Sequence, residues 1–110
     1  MSSGLLNPDQ TVLDKVHTPI AYVCGGSEDI AFANCARDYK NMKTQPAILA
    51  NDPVGHGGTY YGDNGGSFAK IAKAWFDWWL KGDATVKSKF TGASCTFCKS
   101  PWTLETKNLP

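Results

Sequence analysis

The chain has 110 residues (11.9 kDa), 42% of them apolar, which is enough for one ordinary domain with one core and too little for two. Its 11 basic and 10 acidic residues are spread along the whole sequence for a net charge of +1, which excludes the electrostatic footprint of a nucleic-acid partner and a polybasic membrane patch. The longest apolar stretch, residues 72–80, is broken by Asp77 and falls far short of the ~20 residues a bilayer span needs, so no membrane partner is expected.

In chain order, MSSGLLNPDQ lacks the basic-then-apolar pattern of a secretory leader and reads as a preamble. Asn7-Pro8-Asp9 is a turn or cap signal before a short helical segment over residues 10–16. Pro19 opens the apolar string IAYVC, too short for a helix and closed by Gly25-Gly26, as a strand covered on both faces would be. Residues 30–42 then carry Ile30, Ala33, Ala36 or Arg37, and Tyr39 at helical spacing. Pro46 starts a second strand, AILA, which ends in Asn51-Asp52-Pro53 and the glycine-rich GHGGTY. The longest helix is expected over residues 68–80, with Phe68, Ile71, Ala72, Trp75, Phe76, Trp79 and Leu80 on one face, Ser67 as N-cap and Gly82 as stop. Its aromatic surface, including Trp78, demands a sheet or a partner to lie on. Val86 and Phe90 suit one further short helix, and SCTFCKSPW reads as a compact tail. Strand, helix, strand, helix predicts an α/β fold with two parallel core strands and flanking helices, in a sheet unfinished at its N-terminal edge.

The cysteines do not frame a metal. Cys24 and Cys35 are too far apart for a pair of CxxC knuckles, and Cys24 inside its apolar run reads as a small buried side chain. Cys95 and Cys98 read either as a local disulfide or as free thiols, depending on the compartment. Pro101 forbids the helix that a thioredoxin-like CxxC would need. No metal and no organic cofactor is expected; GHGGTY is neither a dinucleotide fingerprint nor a P-loop.

In such sheets catalytic groups collect beyond the carboxyl ends of the strands, and both informative loops, GGSED and GHGG, lie there. Asp29 and His56 can meet above adjacent strands, supplying a base and the carboxylate that orients it. Each has a plainer reading: Asp29 as a helix cap, His56 as a loop histidine bonded locally. Glu28 reads as solvent-facing and His17 as surface. No GxSxG nucleophile elbow occurs, which leaves Ser67, more simply a cap, Ser27, more simply a turn residue, or a water molecule as nucleophile. The amides of Gly25, Gly26, Gly57 and Gly58 are candidate oxyanion donors, and Tyr60 and Tyr61 candidate walls.

The segments PIAYVCGGSEDIAFANCARDY, PVGHGGTYYGDNGGSFAKIAKAWFDWWLKGD and FTGASCTFCKSPWTLETKN, in this order, are similar to the C-terminal part of secreted α/β-hydrolases related to dienelactone hydrolase and the chlorophyllase-like esterases. The likeness spans nearly the whole chain. It implies that Asp29 is the triad acid after the penultimate core strand, that His56 is the triad histidine after the last, and that small carboxylic esters are the substrates. It also implies that the earlier strands and the nucleophile segment lie upstream, so that residues 1–110 form one piece of a hydrolase unit. A truncated sheet would recruit other chains, which predicts a homodimer or larger assembly. The alternative is a non-catalytic remnant that serves as an assembly or binding module.

Overall fold

The computed structural model describes residues 3–110. Helix α1 spans Gln10–Leu13, strand β1 Ile20–Cys24, helix α2 Phe32–Asn41, strand β2 Ala47–Asn51, helix α3 Gly66–Trp79 and strand β3 Thr103–Lys107. Short 3-10 turns occupy Asp63–Gly65, Ala84–Lys89 and Thr96–Cys98.

The parallel pair expected from the two apolar strings is present, with Ile20 opposite Ala47 and Cys24 opposite Asn51. A third strand was not expected: β3 adds antiparallel to the far side of β2, with Ala47 opposite Lys107 and Asn51 opposite Thr103, so the sheet is mixed and ordered β1-β2-β3. Its sequence, TLETK, buries little of either face and therefore carries no apolar signature.

Alternate side chains of β1 and β2 feed two cores, which is why both strands read as unbroken apolar runs. On one face Ala21, Val23, Ile48 and Ala50 meet Phe68, Ile71, Trp75 and Trp78 of α3, backed by Phe90, Phe97 and Trp102 from the tail. On the other, Tyr22, Cys24 and Leu49 meet Cys35 and Tyr39 of α2, with Met42 and Leu13. No helix among the described residues is long and apolar enough to cross a membrane.

Several local expectations are revised. Gly65, in the left-handed region at φ 73°, takes the N-cap position of α3, and Ser67 sits inside the first turn. Thr59 does the capping from the preceding loop: its Oγ1 accepts from the Phe68 N–H at 2.9 Å and donates to the Gly65 carbonyl at 2.7 Å. Helix α2 starts at Phe32, because the chain first turns through Asp29, whose N–H donates to Gly26 O and whose carbonyl accepts from Phe32 N–H. Ile30 is consequently exposed. Cys24 is buried, but as half of a disulfide with Cys35 that joins β1 to α2, and Cys95 is bonded to Cys98. The apolar stripe of α3 is wider than its sheet: Phe76 and Leu80 remain exposed. Phe76 borders a groove of about 270 Å³ that runs beside β1, with Pro19, Ile20, Val23, Tyr60 and Trp75 among its walls. Among the described residues β1 has a neighbouring strand on one side only.

Candidate functional site

Strands β1 and β2 are parallel neighbours, so the loops that leave their carboxyl ends emerge side by side. Backbone contacts clasp them together. Asp52 N–H donates to Cys24 O at 3.0 Å and Gly55 N–H to Gly25 O at 2.7 Å, while Asn51 Oδ1 accepts from Gly26 N–H at 2.8 Å. The approach is close enough that a Cβ on Gly25 would stand 1.8 Å from the Gly55 carbonyl oxygen, so only glycine fits there.

The clasp brings Asp29 and His56 together. His56 Nδ1 lies 2.7 Å from Asp29 Oδ1, with the carboxylate side chain 1% and the imidazole 49% exposed. Two backbone donors fix the carboxylate from the other sides: Gly25 N–H gives to Oδ2 and Ala31 N–H to Oδ1, each at 2.8 Å. Burial pushes the Asp29 carboxyl up, but these two N–H groups and His56 together outweigh it and hold it below the usual carboxylate range. Asp29 therefore stays ionised at neutral pH and accepts a hydrogen bond from the Nδ1–H of His56, which leaves Nε2, on a half-exposed ring, as the nitrogen with a free lone pair. Asp29 is not the helix cap of its plainer reading: Ala31 takes the N-cap position of α2 with no side-chain cap bond, and Asp29 instead accepts from the Ala31 N–H within the preceding turn and faces His56.

The serines lie elsewhere. Ser67 Oγ donates to the buried carboxylate of Asp52 at 3.0 Å, and Ser27 is exposed on the turn that carries Asp29. Neither hydroxyl is hydrogen-bonded to His56. Of the four amides considered as oxyanion donors, Gly25 and Gly26 are spent on Asp29 and Asn51, and Gly58 donates to Gly55 O, which leaves Gly57. Glu28 is exposed, as is His17, which bonds the Lys15 carbonyl. Among the described residues no group of three His, Cys, Asp or Glu side chains is placed to hold a metal ion.

His56 separates two open clefts. One, about 440 Å³, is lined by Ser3, His56, Gly57, Tyr60 and Tyr61, so both tyrosines share a cleft with the imidazole. The other, about 210 Å³, lies between His56, Ile30, Asn34 and Leu6, and Ser3 borders it too. Sequence reasoning missed Ser3 and its segment, which is pinned to α2 by a two-residue clamp. Leu5 N–H donates to Asp38 Oδ2 and Arg37 donates to Leu5 O, both at 2.5 Å, while the Arg37 guanidinium pairs with Asp38 at 2.9 Å. A contact across 33 positions leaves no local pattern to find.

No family model and no curated protein matches the chain.

Proposed function

We propose that this chain carries the acid and the base of a serine-hydrolase-like site for small carboxylic esters, in a unit akin to the α/β-hydrolases related to dienelactone hydrolase and the chlorophyllase-like esterases. The observation that carries the reading is the 2.7 Å bond between His56 Nδ1 and a buried, doubly anchored Asp29 carboxylate, made between the loops of adjacent parallel strands. Through Nε2, His56 takes the proton of an attacking hydroxyl as its oxygen bonds the ester carbonyl carbon. Asp29 stays ionised and stabilises the imidazolium, which then gives its proton to the departing alkoxide. The candidate nucleophiles are Ser67, Ser27 or a water that His56 would deprotonate. Because Ser67 is engaged by Asp52 and Ser27 shares the acid's own turn, the reading favours a site finished when the sheet is extended by association.

Labelling with a fluorophosphonate serine probe, read by intact mass with denatured protein as control, tests this. One adduct on folded protein, mapped to a single serine and abolished by His56→Ala, is the expected result. Folded protein that takes no adduct at concentrations where it is associated rules out an activated serine, and if it also shows no ester turnover sensitive to His56→Ala, the proposal fails.

One observation favours a second reading, an assembly module without catalysis: the apolar groove beside β1 adjoins the exposed Phe76. Under it the chain forms a homodimer or larger assembly whether or not a serine labels.

A further inference from the structure

The Asp29 carboxylate is oriented by donors from two different elements. Gly25 N–H comes from the end of β1 and Ala31 N–H from the residue before α2. The Cys24–Cys35 disulfide joins these same two elements. Cys24 is the residue before Gly25, and Cys35 sits in the first turn of α2, where its own N–H donates to Ala31 O at 3.0 Å. Cys24 is thus the chain neighbour of one donor residue, and Cys35 is tied by a backbone hydrogen bond to the other.

We propose that Cys24 and Cys35 are a positioning pair for the candidate site: their disulfide holds the end of β1 against the start of α2 so that Gly25 and Ala31 keep Asp29 aimed at His56. This rests on the reading of Asp29 and His56 given above.

The segment that the disulfide closes supports this. Within it Ser27, Glu28 and Ile30 are exposed and bring no core packing of their own, while Asp29 and Ala31 are buried. Closing the loop removes chain entropy that would otherwise oppose holding both 2.8 Å bonds at once. Both cysteines are fully buried, among Tyr22, Tyr39 and Leu49, so a reductant does not reach the sulfurs while the fold is closed. That environment fits a permanent brace rather than a redox switch. The Cys95–Cys98 bridge spans a short turn in the tail and touches none of these groups, which makes it a matched control.

The test compares C24A/C35A with C95A/C98A in the full chain, using amide hydrogen exchange and the 13C titration of the Asp29 carboxyl. In C24A/C35A the Gly25 and Ala31 amides are expected to exchange about tenfold faster or more relative to residues 48–50 of β2. The Asp29 titration midpoint is expected to rise toward the ordinary carboxylate value, and the control should move neither. Folded C24A/C35A with unchanged exchange and an unchanged midpoint overturns the proposal. If the double alanine variant does not fold, the better-filled Cys24→Val/Cys35→Ala replaces it. Failure of both alongside a folded control also overturns the proposal, because the bond would then serve the core at large. None of these readouts uses turnover, so a chain that never labels with a serine probe can still show the positioning effect, and the two ideas fail separately.

Discussion

A carboxylate 1% exposed that accepts from Gly25, Ala31 and His56 has little room for substitution. Replacing it by an amide keeps the shape but turns one acceptor into a donor that faces an N–H group. Asp29→Asn is therefore expected to lose about 1–3 kcal/mol in chemical denaturation at pH 7. The pH dependence has a definite sign. The folded carboxyl lies below its ordinary value of 3.8, so its stabilising contribution is complete above that value and is lost as pH falls through the folded one. Wild type should lose stability more steeply than Asp29→Asn below about pH 4, as urea titrations at several pH values would show. Asp38 is a second buried carboxylate, held by different partners, the Leu5 N–H and the Arg37 guanidinium. Asp38→Ala should cost about 1–3 kcal/mol and speed exchange of the Leu5 amide, the first sign that the segment bordering His56 has come loose. Asp29 and His56 were legible in the sequence because loops after parallel strands sit together by topology. Asp38, Asn51 and Thr59 were not, because each acts on a backbone group that only the folded chain brings near.

At the scale of elements, periodicity located what buries a face, and failed where an element is held by its ends. Strands β1 and β2 and helix α3 were legible from their apolar runs and stripes. The boundary of α2 was not, because the Asp29 turn delays it and leaves Ile30 in solvent. Strand β3 was invisible for a related reason: its contribution is a polar brace. Lys107 Nζ donates to the carbonyls of Tyr39 at 2.7 Å, Lys40 at 3.2 Å and Met42 at 3.1 Å, and stands 4.4 Å from the centre of the Tyr39 ring. These carbonyls lie at the negative end of the helix dipole, where Lys107 brings the positive charge. Lys107→Met keeps the aliphatic stem and removes the charge, so it should cost about 1 kcal/mol and raise amide exchange selectively in the last turn of α2. Ile71, fully buried between α3 and the sheet, gives the contrasting case. Ile71→Ala leaves a cavity in the larger core and should cost about 2–5 kcal/mol, seen as a lower denaturation midpoint with an unchanged slope.

For the whole molecule, the question is what the small sheet leaves uncovered. Helix α3 carries a stripe broad enough for a larger sheet than the three strands present, and Phe76, 56% exposed, stands at the wall of the groove beside β1. An apolar groove next to a strand with one strand neighbour is a surface that association would bury, and burial of one such aromatic is worth on the order of 1.5–3 kcal/mol. The proposed assembly therefore has a specific sensitivity. Phe76→Lys places a charge where the groove would be covered but takes nothing from the core, because the buried core residues of α3 are Phe68, Ile71, Ala74, Trp75 and Trp78. Sedimentation velocity at micromolar concentration should show wild type as a dimer or larger, and Phe76→Lys shifted toward monomer with its thermal midpoint nearly unchanged. A wild-type monomer across that range would remove the assembly module and would force the candidate site to find its nucleophile within this chain. Dimers that survive Phe76→Lys would instead place the interface away from the β1 groove.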